Sequence, residues 1–190
     1  MQEFIEDVKR AVQVMRDGGI ILYPTDTIWG IGCDASNSAA VRRIFELKQR
    51  SDSKSMLSLI DSDAKLGYYV PDIPDVAYDL MDLAEKPLTI IYDNVRHMAP
   101  ELIAEDGSAG IRVTKETFSK ELCRRLGGAV VSTSANISGQ PSAANFSEIA
   151  DVIKQGVDYV VEYRQNDQTR AVASGIIKLG SGGLVKVIRE

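Results

Sequence analysis

AVVSTSAN, at residues 129–136, joins three apolar residues to a run of hydroxyl and amide side chains. Residues 129–131 are typical of a buried strand, because the segment is short, apolar and rich in β-branched residues. The polar run Ser132 to Asn136 begins where that predicted strand ends. Hydroxyl and amide groups can donate hydrogen bonds to phosphate or carboxylate oxygens. The alternative is a turn whose Ser and Asn side chains satisfy their own backbone.

Two other polar segments stand at the ends of predicted strands in the same way. Thr25 to Thr27 follows the predicted strand 20–23, and Arg112 to Lys115 lies at the end of the predicted strand 109–113. In open α/β sheets, ligands gather beyond the carboxyl ends of the strands. We therefore expect these three polar segments to form the functional site.

Helix and strand patterns alternate along the rest of the chain. Further strands are predicted near residues 28–31, 56–60, 88–92, 157–161, 175–179 and 184–188. Helices are predicted near residues 4–15, 38–47, 75–83, 118–126 and 147–154, with a short one after Asp61 or Ser62. The alternation predicts an α/β fold in which helices pack on a twisted, open, mixed sheet that ends in a hairpin. Since no repeat or linker interrupts the pattern, a single domain over residues 1–190 is expected.

The composition excludes several classes of protein. With 22 Lys and Arg against 27 Asp and Glu, the net charge of −5 argues against coating nucleic acid by bulk charge, but a local basic groove remains open. Two cysteines and one histidine fall short of the usual four-ligand zinc set. Neither a secretory signal nor an apolar run long enough for a membrane span is visible. The cytoplasm is therefore the expected compartment, with no membrane partner.

One cluster of cations stands out in this acidic chain. Lys48, Arg50 and Lys54 lie within seven residues of one another at the end of a predicted helix. Arg binds phosphate oxygens in a bidentate manner and Lys supplies a compact charge, so the cluster could hold a triphosphate. A solvated helix end is the alternative. The standard phosphate-loop and dinucleotide motifs are absent.

Four ordered motifs resemble those of a known family. They are Tyr23 to Thr27 with Gly30 to Gly32, Leu47 to Arg50, Gly110 to Val113, and Ser132 to Gly139. In order and spacing they resemble the YrdC family over nearly the whole chain. The resemblance implies a YrdC-like fold with a concave basic groove and the activity of a threonylcarbamoyl-AMP synthase. That enzyme joins L-threonine, bicarbonate or CO2, and ATP to give threonylcarbamoyl-AMP and pyrophosphate, and separate transferase proteins then modify tRNA.

The resemblance also implies roles for individual residues. Lys48 and Arg50 correspond to catalytic and ATP-binding positions. The other expected ATP-binding residues are Ser134, Asn136, Ser142 and Arg189. The expected threonine-binding residues are Thr27, Lys54, Arg112, Ser132 and Ser174. Mg2+ is expected to arrive with ATP, without a dedicated metal site on the protein.

The chain departs from the family pattern at four places: Ser51, Ala84 to Lys86, Gly175 and Lys178. Two alternatives therefore stay open. One is a module that binds a nucleotide or double-stranded RNA without turnover, although weak RNA contact alone would also be compatible with the synthase. The other is a related carbamoyl or acyl transferase that acts on a different substrate.

Overall fold

Apolar residues at helical spacing form the first helix, α1 (Gln2–Arg16), which buries Val8, Val12 and Met15. The computed structural model describes residues 2–49, 56–180 and 182–190. The chain leaves α1 through Gly18, whose φ of +82° lies in the left-handed region that glycine tolerates best. The helix and the glycine that ends it are both confirmed.

The remaining helices and strands alternate as predicted. The strands are β1 (Ile21–Tyr23), β2 (Gly30–Gly32), β3 (Leu57–Ile60), β4 (Leu88–Tyr92), β5 (Ala109–Val113), β6 (Val130–Ser134), β7 (Tyr159–Val160), β8 (Gly175–Leu179) and β9 (Val185–Arg189). The later helices are α2 (Ser38–Leu47), α3 (Leu66–Tyr69), α4 (Val76–Leu83), α5 (Thr117–Leu126) and α6 (Asp151–Gly156). Short 3-10 turns lie at Asp63–Lys65, Pro100–Leu102 and Phe146–Glu148.

The strands form one mixed sheet in the order β7-β1-β2-β6-β3-β5-β4-β8-β9. Three neighbouring pairs are parallel, namely β1 with β7, β3 with β5, and β4 with β8. The terminal pair β8 and β9 is antiparallel, which confirms the predicted hairpin. The mixed α/β class is also confirmed. None of the helices in the described ranges has the length and apolar character needed to cross a bilayer.

The extent of β6 differs from the prediction. The strand was expected to end at Val131, but it continues through Ser134, because Ser132 pairs with Leu57 on one side and Ser134 pairs with Gly30 on the other. Ladder hydrogen bonds to both neighbours outweigh the turn preference of serine. The predicted end of the strand and the turn alternative for residues 132–134 were therefore wrong, and these hydroxyl groups stand on a strand.

Two other boundaries were also wrong. The strand expected near 28–31 begins only at Gly30, because Thr25 to Ile28 form a turn held by side-chain hydrogen bonds. The helix expected near 147–154 begins at Asp151, because Asn145 caps a separate 3-10 turn before it. Polar side chains that bond to nearby backbone groups compete with regular structure in both places.

Gly32 allows the β1–β2 hairpin to approach β6 closely. A Cβ atom at this position would lie 2.6 Å from the Tyr23 ring and closer still to the carbonyl oxygen of Val131. We expect Gly32→Ala to lower the free energy of unfolding by about 1–3 kcal/mol, measured by urea denaturation. Gly67→Ala is the matched control, because a Cβ at this helical position meets no atom within 4 Å. Equal stability of the two variants would contradict the close packing of β2 against β6.

Candidate functional site

A cleft of about 230 Å³ lies where β2, β5, β6 and the terminal hairpin meet. The predicted site residues that line it are Thr27, Arg112, Ser132, Ser134, Ser142, Ser174 and Arg189. They come from segments far apart in the chain, and the strand order of the sheet brings them together. Lys48 and Asn136 lie outside this lining. Arg50 and Lys54 lie outside the described residues. So does Ser51, one of the places where the chain departs from the family pattern.

The turn after β1 fixes one hydroxyl group of the cleft. The Thr25 hydroxyl is buried, donates to the carbonyl of Ile28 at 2.8 Å and accepts from the backbone N–H of Thr27 at 3.0 Å. The same oxygen lies 3.0 Å from the Thr27 hydroxyl, so Thr27 is held at both its backbone and its side chain. Thr25 therefore presents Thr27 to the cleft in one orientation.

Arg112 is a buried cation at the edge of this cleft. Its side chain is only 3% exposed, and Nη2 lies 2.9 Å from Oδ1 of Asp26. Nη2 also donates to the Thr27 hydroxyl over a long 3.4 Å, while Nε is buried without a hydrogen-bond partner. Buried donors without a partner are rare in proteins, and a ligand, an ion or an ordered water can complete them. The arrangement favours an anion, which a guanidinium binds through charge-assisted hydrogen bonds.

Arg189 brings a second positive charge to the rim of the cleft. Its Nε donates to the carbonyl of Ser174 at 2.8 Å. Partial burial lowers the pKa of Arg189, and the positive charge of Arg112 lowers it further, so the two guanidinium groups repel each other. The hydroxyl of Ser174 is buried beside that of Thr89, at 2.9 Å. An anion bound between the two arginines would relieve their repulsion.

Lys48 is buried although it follows the last residue of α2. Its side chain is 1% exposed, and its ammonium donates to the carbonyls of Ser134 and of Asn136, the latter at 2.7 Å. The carbonyl of Lys48 in turn accepts from the N–H of Ser138 at 3.0 Å. For Lys48, the interpretation as a solvated helix end is therefore wrong. The residue joins the end of α2 to the segment that follows β6.

Asn136 shapes the same segment. Its Nδ2 donates to the carbonyls of Ile137 and Gln140 at 3.0 and 2.7 Å, as in the turn interpretation. Its Oδ1, however, is buried without a hydrogen-bond partner, and so is the hydroxyl of Ser138. The segment that follows β6 therefore retains two buried polar groups without a hydrogen-bond partner.

A family model named Sua5_yciO_yrdC, with the description telomere recombination, matches residues 13–190. The chain belongs to this family. The resemblance to YrdC proteins, which the four sequence motifs indicated, is thereby confirmed. The basic groove expected with this fold stays a prediction, although Arg112 and Arg189 both line the described cleft.

Known members of the Sua5/YciO/YrdC family resemble the chain in sequence and in structure. The threonylcarbamoyl-AMP synthase of Thiobacillus denitrificans is 35% identical over 173 residues, which cover 90% of each chain. The crystal structure of E. coli YciO matches with a TM-score of 0.80 at 24% identity, over 96% of this chain and 88% of that one. The P. abyssi Sua5 structure complexed with L-threonine matches with a TM-score of 0.79 at 24% identity, over 90% of this chain. The match covers 50% of that chain, so this protein spans about half its length.

Two residues near the cleft of this family member were not predicted from the sequence. Asp26 pairs with Arg112, and burial raises the pKa of Asp26 although the positive charge of Arg112 opposes the shift. Its place between Thr25 and Thr27, inside a quoted motif, was a signal that could have found it. Arg164 donates to the carbonyl of Thr25 at 3.1 Å and pairs with Asp167 at 3.0 Å. No local pattern links Arg164 to a turn 139 residues away.

Proposed function

We propose that the protein is a threonylcarbamoyl-AMP synthase, which condenses L-threonine, bicarbonate or CO2, and ATP to threonylcarbamoyl-AMP and pyrophosphate. The observation that carries the proposal is the cleft around Arg112, where a buried guanidinium with an unfilled donor stands beside the hydroxyls of Thr27 and Ser132. A guanidinium next to hydroxyl groups suits an amino acid that has both a carboxylate and a hydroxyl. The similarity to a synthase of this name over 90% of the chain supports the choice.

The reaction needs two anions to be held together. The amine of threonine becomes a carbamate, whose oxygen must then approach the α-phosphorus of ATP. Arg112 and Arg189 supply positive charge at this point, and their mutual repulsion falls when anions bind. Among the described residues that line the cleft, none is a cysteine or a histidine. The hydroxyls of this lining thus have no histidine base beside them, and we assign the catalysis of this chain to positioning and electrostatic stabilisation.

The site residues divide between the two substrates. For threonine, we assign the carboxylate to Arg112 and the hydroxyl to the group formed by Thr27, Ser132 and Ser174, and we also assign Lys54 to this substrate. For ATP, the assigned residues are Lys48, Arg50, Ser134, Asn136, Ser142 and Arg189. Lys48 serves ATP through the segment that it holds, since its ammonium donates to the carbonyls of Ser134 and Asn136.

ATP enters with its Mg2+ as substrate. Phosphate oxygens are ordinary ligands of this ion, which needs few protein ligands when a nucleotide carries it. Across the described ranges, no group of three or more His, Cys, Asp and Glu side chains could hold a metal ion. The charge that the ion supplies would add to that of the two arginines.

The cellular setting follows from the same proposal. Separate transferase proteins would pass the threonylcarbamoyl group to tRNA, with at most weak RNA contact by this chain. The cytoplasm is the proposed compartment, and the two buried cysteines, neither of which forms a disulfide, suit its reducing conditions.

We also propose that residues 1–190 form one YrdC-like domain, since a single strand order joins β1 to β9.

Pyrophosphate release tests the proposed function directly. With ATP and Mg2+ present, threonine and bicarbonate are each supplied or omitted. We expect release only when both are present, and about tenfold more with threonine than with serine, because one methyl group in a fitted pocket is worth about this factor.

Other results would favour the alternatives. Release that does not prefer threonine would indicate a transferase that acts on another amine. ATP binding without release, together with salt-dependent binding of double-stranded RNA that threonine does not change, would indicate a binding module.

A further inference from the structure

Asp26 and Arg112 form the most buried ion pair among the described residues. Their side chains are 11% and 3% exposed, and 2.9 Å separates Oδ1 of Asp26 from Nη2 of Arg112. The other ion pairs in the described ranges include at least one partner that is more exposed. A buried pair contributes little net stability, but the loss of one partner leaves an uncompensated charge. This pair therefore needs an explanation beyond stability.

The two members of the pair face different clefts. Arg112 lines the substrate cleft, whereas Asp26 lines a neighbouring cleft of about 550 Å³ together with Asp61, Thr114 and Lys115. Asp26 thus pairs with Arg112 but does not itself line the substrate cleft. A carboxylate in this place can hold the guanidinium without occupying the side that meets the substrate.

Arg112 has little else to hold it in place. The contact with Asp26 is an ion pair, since Oδ1 of Asp26 has no hydrogen-bond partner of its own. The hydrogen bond of Arg112 to the Thr27 hydroxyl is long at 3.4 Å, and its Nε has no hydrogen-bond partner. Arg189 adds a repulsive charge from the rim of the cleft. Without Asp26, the guanidinium would carry a buried charge that no described carboxylate balances, and it would lose its best-defined contact.

We propose that Asp26 is a positioning residue, which holds the guanidinium of Arg112 in the orientation that receives the carboxylate of threonine. This inference rests on the proposed function, because it requires threonine to bind at Arg112. Asp26 acts through Arg112 and touches neither substrate. Removal of its charge therefore weakens the use of threonine and leaves the use of ATP largely unchanged.

A double-mutant cycle separates this role from direct contact. The measured quantity is kcat/KM for threonine, taken from pyrophosphate release by the wild type, Asp26→Asn, Arg112→Ala and the double variant. We expect Asp26→Asn to lower kcat/KM for threonine about 100-fold, because small misplacements of a binding group have effects of this size. In the Arg112→Ala background, Asp26→Asn should alter kcat/KM for threonine by less than about threefold. The KM for ATP should change little in either background.

Asp61→Asn is the matched control. Asp61 lines the same neighbouring cleft and pairs with Lys65 at 2.7 Å, but it is not a partner of Arg112. We expect this variant to keep the threonine and ATP parameters of the wild type. Asp26→Glu restores the charge and should recover part of the loss, and urea denaturation shows that each variant is folded.

Several outcomes would overturn the inference. An equally large loss for Asp26→Asn in both backgrounds would mean that Asp26 contacts the substrate itself. Tighter threonine binding by Asp26→Asn would mean that Asp26 competes with the substrate for Arg112. A parallel rise in the KM for ATP would indicate a general structural role. If the wild type itself releases no pyrophosphate and binds no threonine, the proposed function fails and this inference fails with it.

Discussion

Replacing Arg112 with alanine is expected to lower kcat/KM for threonine by about 2–4 kcal/mol of transition-state stabilisation, which is roughly 30- to 1000-fold. Arg112 is buried at 3% exposure beside the hydroxyls of the cleft, so its hydrogen bonds to an anion would form with little competition from water. The effect should appear mainly as a raised KM for threonine in pyrophosphate release. An unchanged KM for threonine would remove Arg112 from the threonine site.

Arg124→Ala is the control for the loss of an arginine. Arg124 is 58% exposed on α5 and pairs with Glu121 on the same helix at 2.7 Å. Exposed pairs of this kind contribute little to stability. The variant should therefore keep the activity of the wild type, and a loss similar to that of Arg112→Ala would show that the effect is not specific to the cleft.

Replacing Lys48 with methionine is expected to lower the free energy of unfolding by about 1–3 kcal/mol and to raise the KM for ATP about tenfold or more. Methionine keeps much of the apolar length of lysine, so the substitution removes the charge and the donors with little change in volume. The carbonyls of Ser134 and Asn136 would lose the donor that they share. The carbonyl of Ser134 keeps the N–H of Asn136 at 2.9 Å, so the cost of a buried acceptor without a partner falls on the carbonyl of Asn136. The segment after β6 would then be held less firmly where ATP is proposed to bind.

Denaturation and kinetics distinguish two roles of Lys48. A loss of stability with an unchanged KM for ATP would limit Lys48 to the fold, whereas no change in either quantity would show that its buried contacts contribute nothing. Lys120→Met is the control, because Lys120 is exposed on α5 and takes part in no ion pair among the described residues. It should match the wild type in both measurements.

The elements that the sequence predicted well have strong local patterns. The helix α1 repeats apolar residues at helical spacing and ends at glycine, and β5 and β8 are short apolar runs bounded by turn residues. The end of β6 was wrong because serine and threonine suit a turn and a strand almost equally. The pairing of Ser132 and Ser134 with neighbouring strands decided between them.

In the candidate site too, the sequence predicted some features and only the tertiary structure decided others. The family resemblance led to seven residues that line one cleft, from Thr27 near the first strand to Arg189 in the last. Charge patterning could not tell that Lys48 is buried, since a helix end is usually solvated. Nor could it pair Asp26 with Arg112, since 86 residues of chain separate them and only the sheet brings them within 2.9 Å.

The sequence by itself determined the α/β class, the family, and the types of side chain available to meet an anion, because period, turn chemistry and motif spacing are properties of the chain. Only the tertiary structure decided which of these polar groups lose water and which partners remain to them. The order of β6, β3 and β5 in the sheet places hydroxyls from one strand opposite a guanidinium from another. Desolvation and pairing depend on such long-range contacts. The burial of Arg112 and its pairing with Asp26 could therefore not be predicted from the sequence alone.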